Sequence, residues 1–511
     1  MLTYHSIIKY SVNILLDLVQ NDEPDIRMIV ENEVYLLNPI VRRVLRAFHD
    51  AGFEAYIVGG AVRDLLMQRQ PHDYDVTTSA RPEEIRTIAE KEHWHTVEIN
   101  GEAFGIVVLV VDGMTIETAT FRGERYGTDS HRPAEVWYAS TLREDVMRRD
   151  FTVNALAMDA EGQIYDYTGG QKDIKKKRLV TVGDPRRRFA EDALRLFRAC
   201  RFTGQLDFLP VKDLLRAMPS AYDRVPGLSL ERVVSEIDRL MVTPAAYKGL
   251  DVLVRSGLGQ CSCRQKENGV YHEIPILPEL AHLPDTPQSP PFHAFDAWFH
   301  TLAVIAHTPQ DLVIRYAALF HDVAKGMPGI RGVHKGRLTD YGHDDKGADM
   351  AANILTRWHK NPAFVRRIAW LVRTHMKFHY FANTGEGDIN KWLRREALYG
   401  PFRRSEELAE AIRQATALAV GDIWGCGHEH TDTSGTESFG AFMEELAREM
   451  PVSTKDLQYD RRLPDTCGRR TGDCLRNLLK RVQNKQLENS PDVLLDAAEK
   501  WLKRHEEAET Q

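Results

Sequence analysis

Apolar and polar positions along the chain fall into distinct regimes. Between residues 33 and 160, helical and strand-like patterns alternate. The stretch "NPIVRRVLRAFHDAG" carries apolar residues at three- and four-residue steps and predicts a helix, "EAYIVGG" a strand, and "AVRDLLMQR" a second helix. Strands are expected at "DYDVTT", "GIVVLVVDG" and "MTIETATFR", followed by a helical entry at "STLREDVMRRDFTVNALAM". This order predicts an α/β or α+β head on a small sheet. From Arg186 the pattern turns helical and stays so, as in "ERVVSEIDRLM" and "YKGLDVLVRSGL". The proline-rich "PDTPQSPP", residues 284–291, predicts a linker. A second helical block then runs from Phe292 to about Gly425, and a third from 426 to the polar end. Residues 1–32 read as an amphipathic lead-in helix with an acidic end and no assigned role, and no internal repeat is visible.

Composition narrows the class. Hydrophobic residues make up 43% and charged residues 28% of the 511, which suits a soluble globular protein. The net charge of −7 argues against a uniformly nucleic-acid-coating surface and leaves local patches open. Six cysteines are too few for a disulfide scaffold and point to a reducing compartment. No apolar run of about 18 residues exists, so no spanning helix and no membrane partner are expected. The first residues lack a basic n-region and a small-residue cleavage site. Together these features predict a cytoplasmic enzyme.

Asp73 and Asp75 in "HDYDVTT" stand two apart in a strand-favouring context, so both carboxylates are expected on one face. Hard oxygen anions so placed suit Mg²⁺, which keeps positions for phosphate oxygens. A pair of such ions about 4 Å apart activates a hydroxyl and stabilises a leaving pyrophosphate. A solvated strand end is the competing reading. The preceding "VGGAVRD" adds a strand–Gly59-Gly60–helix turn that attracts phosphate, with Arg63 as a fork for it. A dinucleotide fold is the rival there, but the glycines do not follow G-x-G-x-x-G.

The pieces "GGAVRD", "DYDVTTSARPEEI", "TFRGERYGTDSHRP", "LREDVMRRDFTVNALAM", "EDALRLFRACRF" and "LSLERVVSEIDRLM" occur in this order. Over roughly residues 40–245 the chain thereby resembles the tRNA nucleotidyltransferase and poly(A) polymerase family. The resemblance implies a polymerase-β-like head with a helical neck, Asp73 and Asp75 as catalytic Mg²⁺ ligands, and Gly60 and Arg63 at the nucleotide. It also implies Arg149 at the triphosphate and Asp150 at the ribose, although Asp150 reads equally as a helix-entry cap. Glu117 in "TIETATFR" is a candidate third carboxylate or a solvated strand residue.

"EDALRLFRACR" sets Asp192, Arg195 and Arg198 three apart on a helix, within a face of about 120°. A surface salt-bridge ladder is the plain reading. The chemical reading is base choice: a carboxylate accepts and a guanidinium donates, which matches the amine and ring nitrogen of cytosine or adenine and mismatches uracil and guanine. The resemblance carries that role to Asp192 and Arg195, and places Arg198 and Arg201 near the nucleotide or its phosphates. The loop "RGERYGTDSHRPAEV" is rich in turn residues and expected to be mobile. Its intact length favours CCA addition to a tRNA 3′ end from CTP and ATP, with CC-adding, A-adding or poly(A)-forming enzymes as alternatives. Residues 172–188 hold eight Lys or Arg against two Asp. This basic track, with Lys175, Lys176, Lys177 and Arg178, suits RNA phosphates or is a solvated loop.

The second block carries "WFHTLAVIAH" with His300, "HDVAK" with His321, Asp322 and Lys325, then His343, His375 and, in "ALAVGDIWG", Asp422. Imidazole with carboxylate suits divalent metals, unless these are unrelated surface histidines. The order H…HD…D resembles the HD phosphohydrolase superfamily. That likeness implies His300, His321, Asp322 and Asp422 as metal ligands, His343 and His375 at a second ion or substrate phosphate, and Lys325 near phosphate. It implies phosphatase or 2′,3′-cyclic phosphodiesterase activity. A nucleotide phohydrolase whose head merely binds RNA is the rival reading; so is a degenerate HD domain. Cys261 and Cys263 with Cys426, His428 and His430 form a poorly spaced zinc candidate, and the tail "KDLQYDRRLPDTCGRRTGDCLRNLLKRV" receives no tRNA contact. The expected organisation is therefore α+β: an extension (1–32), a nucleotidyltransferase head (33–185), a helical neck (186–260), a linker (261–291), an HD domain (292–425) and C-terminal helices (426–511).

Overall fold

The computed structural model describes residues 37–97, 105–126, 133–385, 387–428 and 431–509. These divide into two compact units, the first ending at Ala281 and the second beginning at His282. The class is α+β, as expected.

In the first unit, helix α1 (Pro39–Asp50) is capped by the Asn38 side chain, which accepts from Ile40 N at 2.9 Å. It buries Val41, Val44, Leu45 and Phe48, the three- and four-residue spacing of its apolar positions. The chain continues through β1 (Ala55–Val58), α2 (Gly60–Leu66), β2 (Asp75–Thr78), α3 (Pro82–Lys91), β3 (His95–Val97), β4 (Ile106–Val111) and β5 (Met114–Thr120). A hairpin of β6 (Arg122–Tyr126) and β7 (Pro133–Tyr138), helix α4 (Leu142–Met147), β8 (Leu156–Met158) and β9 (Ile164–Asp166) follow. The main sheet has the order β3-β4-β5-β2-β1-β8-β9. It is antiparallel except where β2 runs parallel to β5. Ile57, Val76, Leu109, Ile116 and Leu156 pack with Phe48 of α1 in one core.

The sheet is larger than the sequence suggested, and β8 is the main reason. The segment expected as a helical entry leaves α4 at Met147, makes a short 3₁₀ turn at Thr152–Asn154, and then pairs with β1 as a strand. Leu156, Ala157 and Met158 are buried on both faces. A short apolar run with no alternation does not distinguish strand from helix.

After β9 the chain runs through α5 (Gly170–Lys175), β10 (Arg178–Leu179), α6 (Pro185–Glu191), α7 (Leu194–Leu206), β11 (Leu209–Pro210) and α8 (Lys212–Ala217). It continues with α9 (Leu230–Met241) and α10 (Ala246–Arg255). Helix α7 packs against α9 and α10. Residues 261–281, expected as part of a linker, instead form the hairpin β12 (Ser262–Glu267) and β13 (Val270–Pro275) and a short turn over Pro278–Leu280.

The second unit opens with the proline-rich stretch, which is not a free linker. Leu283 is fully buried, and the Gln288 side chain donates to the carbonyls of Phe295 and Asp296. Its Oε1 accepts from Lys325 Nζ at 2.8 Å. Prolines exclude regular structure, and tertiary bonds supply the order instead. Helices α11 (Ala297–His307), α12 (Leu312–Phe320), α13 (His343–Arg357), α14 (Pro362–Thr384), α15 (Ile389–Tyr399), α16 (Ser405–Gly425) and α17 (Ser434–Glu449) form the body. Between α12 and α13 lies a hairpin, β14 (Arg331–His334) and β15 (Arg337–Asp340), unforeseen in an all-helical reading. Helices α18 (Arg462–Cys467), α19 (Thr471–Gln483) and α20 (Pro491–Glu509) enclose a core of their own around Leu463, Leu478 and Leu494.

Close approach of α10 to α7 depends on Gly249, where a Cβ would overlap the Cys200 carbonyl oxygen and Leu240 Cδ1. Gly249→Ala is expected to destabilise the first unit by about 1–3 kcal/mol through overpacking, read as a lower urea midpoint with unchanged slope.

Candidate functional site

The first site is a cleft of about 440 Å³ in the first unit, lined by residues of β2, α2, the segment after α4, and α7. Asp75 opens β2 and Asp73 lies just before it, and both line the cleft. The parallel pairing of β2 with β5 sets Asp75 opposite Glu117. Burial within the cleft and then the Asp73 carboxylate push the Asp75 carboxyl up to about 6; Glu117 acts in the same direction and Arg149 opposes it. Asp75 still reaches solvent, and crowding by the Asp73 and Glu117 carboxylates adds to the desolvation that leads the shift. Three clustered carboxylates that destabilise one another's charge fit a divalent cation, which removes that repulsion.

The glycine turn beside them has a steric cause. Gly59 adopts φ +73°, and a Cβ there would lie 3.1 Å from Arg149 Nη1. Gly60 begins α2. Eight arginines line the cleft against four aspartates, Asp73, Asp75, Asp150 and Asp192, so it favours an anion. Each arginine whose contacts are resolved is held by the protein. Arg63 is buried, with Nη1 donating to Asn154 Oδ1 at 2.6 Å and Nε to Asp64. Arg148 and Arg149 both reach the buried Asp145. Asp150 accepts from Phe151 N at 2.7 Å and from Asn154 Nδ2, and pairs with Arg198 at 2.6 Å. Burial alone would raise the Asp150 carboxyl, but Arg198 and Arg195 outweigh it and hold it down to about 2.

Asp192 departs from the one-helix expectation. It lies at the break between α6 and α7, with φ −143°, and its Oδ1 accepts from Leu194 N at 3.0 Å. The side chain therefore reaches the first backbone N–H of α7 from the residue before its N-cap, Ala193, rather than riding on the helix face. It nevertheless lines the same cleft as Arg195 and Arg198. Burial raises its carboxyl, with Arg195 opposing. Arg195 is buried and donates to Glu191, to the Arg188 carbonyl, and to the Arg148 carbonyl at 2.9 Å. Arg201 pairs with Glu236 at 2.6 Å and lies over the Phe202 ring, centroid 4.1 Å away. Arg63 and Arg198 approach the same ring at 5.6 and 5.3 Å.

Of the basic track, Lys175, Lys176 and Lys177 are exposed where α5 ends. Arg178 pairs with Asp173 at 2.7 Å, and Arg188 is buried on the Val182 carbonyl and Glu191, so the track is narrower than its composition. Strands β6 and β7 frame the loop expected to move, while residues 127–132 at its tip lie outside the described residues.

The second site is a buried histidine–aspartate cluster in the second unit. His300 comes from α11, His321 and Asp322 from the end of α12, His343 from the start of α13, His375 from α14, and Asp422 from α16. His300 Nε2 stands 3.0 Å from Asp422 Oδ1, 3.4 Å from Asp322 Oδ2 and 3.1 Å from His321 Nε2. His343 Nε2 lies 3.3 Å from Asp322 Oδ1 and 3.3 Å from His375 Nε2. Asp322 thus joins two groups able to hold a cation, His300–His321–Asp422 and Asp322–His343–His375. His321, His343 and His375 each place Nδ1 on a backbone carbonyl, of Ala318, Asp340 and Val372 respectively. That bond favours Nδ1 as the donor and aims Nε2 inward, where converging imidazoles and carboxylates suit a cation. Burial would raise both aspartates, but the adjacent imidazoles, with Lys325 beside Asp322, hold them well below the usual carboxylate range. Lys325 Nζ lies 2.7 Å from Asp322 Oδ2.

Sequence reasoning missed several partners. His379 donates to Asp422 Oδ2 at 2.8 Å and lies one helical turn after His375, a spacing that marks it. Asp145, Asn154 and Glu236 anchor the cleft arginines from within stretches whose other residues were singled out. Gln288 carried no signal, because only the fold brings it to Lys325. The zinc candidate disperses: Cys263 is buried on the Ile274 carbonyl in the first unit, His428 bonds the Phe292 carbonyl, and His430 lies outside the described residues.

Residues 55–180 match the poly A polymerase head domain family, and residues 299–417 the HD domain family. The CCA-adding enzyme of Bacillus pumilus is 38% identical over 264 residues, 52% of this chain and 62% of that one. That of a Geobacillus species is 43% identical over 215 residues, 42% of this chain and 52% of the other. The chain thus spans about half to three-fifths of the length of these curated relatives. The crystal structure of the Bacillus stearothermophilus CCA-adding enzyme in complex with CTP superposes with a TM-score of 0.61 at 23% identity, covering 92% of this chain and 100% of that one. A CCA-adding enzyme complexed with ATP gives 0.52 at 15% identity, covering 90% and 95%. At such identities these two establish the fold alone. One polypeptide thus carries both a match to the poly A polymerase head and, further along, a match to the HD domain.

Proposed function

We propose that this protein is a tRNA nucleotidyltransferase that completes the CCA end of tRNA from CTP and ATP without a nucleic-acid template. One observation carries the reading: Asp73 and Asp75 share a single arginine-rich cleft with Asp192 and Arg195. The similarity to CCA-adding enzymes supports the same activity.

Asp73 and Asp75, with Glu117 beside them, would hold Mg²⁺, which when bound neutralises triphosphate charge and acidifies the primer hydroxyl. Arg63 and Arg149 attract the triphosphate across the glycine turn. Asp150, ionised because Arg198 holds it so, accepts from the ribose hydroxyl. Asp192 accepts from the exocyclic amine of cytosine or adenine, and Arg195 donates to the neighbouring ring nitrogen. The bonds of Arg195 to Glu191 and to two carbonyls fix its plane, so the entropy of orienting it is spent on folding rather than on substrate binding. Lys175, Lys176 and Lys177 supply phosphate contacts for an RNA end, which give affinity without sequence reading.

The HD domain supports a second, hydrolytic activity on phosphate esters such as 2′,3′-cyclic ends. His300, His321, Asp322 and Asp422 would hold one divalent ion, and His343 and His375 a second ion or the substrate phosphate. Lys325 offers charge to that phosphate.

The deciding experiment supplies tRNA lacking its 3′ end with each labelled nucleotide in turn. C and A are expected to be incorporated, in the order C, C, A, and U and G rejected; Asp73→Ala abolishes incorporation. Use of A alone, or long A tails, would replace this reading with an A-adding or poly(A)-forming enzyme, and stopping after two C with a CC-adding one. Asp192→Ala should erode the preference for C over U by about 1–3 kcal/mol, while misincorporation becomes measurable.

The raised Asp75 carboxyl sets a pH dependence. The cation needs the ionised form, so Mn²⁺ affinity of the cleft should fall about tenfold per pH unit below about 6. A carboxyl raised in the folded state stabilises at low pH, and that contribution is lost as pH rises from 3.8 through about 6. Metal-free Asp75→Asn should therefore melt no lower than the parent at pH 7.5, although it is inactive. In the HD domain, His379→Ala should weaken metal affinity by about 10–100-fold and lower cyclic-phosphate hydrolysis at limiting metal, with recovery at excess metal.

A further inference from the structure

One nitrogen of the HD cluster breaks its pattern. His321, His343 and His375 each anchor Nδ1 on a carbonyl. His300, whose ring is fully buried, has no hydrogen-bond partner for Nδ1 among the described residues. An unsatisfied buried imidazole nitrogen costs about 1–3 kcal/mol, so its surroundings are informative. The Nδ1 edge faces the end of α16, where a Cβ at Gly425 would lie 3.3 Å from it. The next residue is Cys426. The His293 ring packs edge-on against His300, centroids 4.7 Å apart, and Cys426 Sγ lies 3.7 Å from His293 Nδ1. One ligand atom from each of His293, His300 and Cys426 falls within 4.8 Å of the others. The backbone holds this arrangement, because Ala294 N donates to the Cys426 carbonyl at 2.9 Å.

We propose that His293, Cys426 and the Nδ1 of His300 form a separate transition-metal site adjoining the HD centre and suited to Zn²⁺. A thiolate with two imidazoles selects a softer ion than the nitrogen–oxygen set beside it. Zinc bonds of about 2.0 Å to nitrogen and 2.3 Å to sulfur in a tetrahedron put neighbouring N and S ligands about 3.5 Å apart, close to the 3.7 Å observed between His293 and Cys426. His293 and Cys426 are only partly buried, which leaves a side for a solvent ligand. Binding converts the Cys426 thiol to a metal thiolate and releases its proton to solvent. If both centres were filled, His300 Nε2 would serve one and Nδ1 the other, and the ring's one N–H proton would pass to solvent. The site makes no demand on the head.

The test uses the full chain, stripped of metal by chelation and titrated with Co²⁺ as the spectroscopic probe. A thiolate-to-cobalt charge-transfer band in the near-ultraviolet is expected, since the HD ligands contain no sulfur. Cys426→Ser and His293→Gln should each lose that band, while the Cys261→Ser/Cys263→Ser double variant keeps it. After the stripped chain is reloaded with zinc and desalted, elemental analysis should show one fewer zinc per chain in Cys426→Ser, with circular dichroism and melting unchanged in the metal-free state. Absence of the band at excess Co²⁺, or its survival in Cys426→Ser, would overturn the proposal and leave a thiol–imidazole hydrogen bond only.

Discussion

The first unit depends on buried guanidinium groups finding acceptors. Arg195, Arg198 and Arg201 rise from α7 beside the cleft, Arg195 and Arg201 buried and Arg198 half-buried. Uncompensated, such charges would cost several kcal/mol each. Arg195 reaches the Arg148 carbonyl, Arg198 reaches Asp150, and Arg201 reaches Glu236 on α9. The first two acceptors belong to the head and the third to the neck. Satisfying α7 therefore clamps the neck to the segment after α4 and fixes the distance from Asp192 to the Asp73–Asp75 pair. Removing one partner would leave a buried charge and loosen the cleft that Asp73, Asp75, Asp192 and Arg195 line together.

The same economy operates in the second unit with opposite sign. Asp322 and Asp422 are buried carboxylates that stay ionised because imidazoles and Lys325 surround them. The histidines cannot all be neutral donors toward one another, since three present Nδ1–H to backbone carbonyls and direct Nε2 inward. A site of this kind is preorganised for cations rather than for packing, which is why five helices contribute to it and none completes it alone. Gln288 and the proline-rich stretch belong to that frame, tying Lys325 in place.

Much of the chemistry was legible in the sequence, and the reasons are local. Asp73 and Asp75 stand in a strand context, the Gly59-Gly60 turn follows a strand, and the H…HD…D order survives without knowledge of the fold. Legibility failed where a local rule had two solutions. The run "TVNALAM" suits helix or strand, and burial on both faces of the sheet chose strand. Asp192 looked helical by spacing, but the chain breaks between two helices there, and a short polar side chain can serve the backbone N–H groups at the next helix start. Residues 284–291 looked like a linker because proline content reports the absence of regular structure, not of tertiary bonds.

By itself the sequence determined which residues carry charge, metal affinity and turn geometry, because these are properties of side-chain chemistry and of spacing within one element. Which of them share a site was decided by the tertiary structure. Asp192 shares a cleft with Asp75, and Cys426 meets His293, only through a fold that brings together residues over a hundred positions apart. Such contacts follow from how apolar faces bury together, a many-body balance that no short stretch of chain encodes.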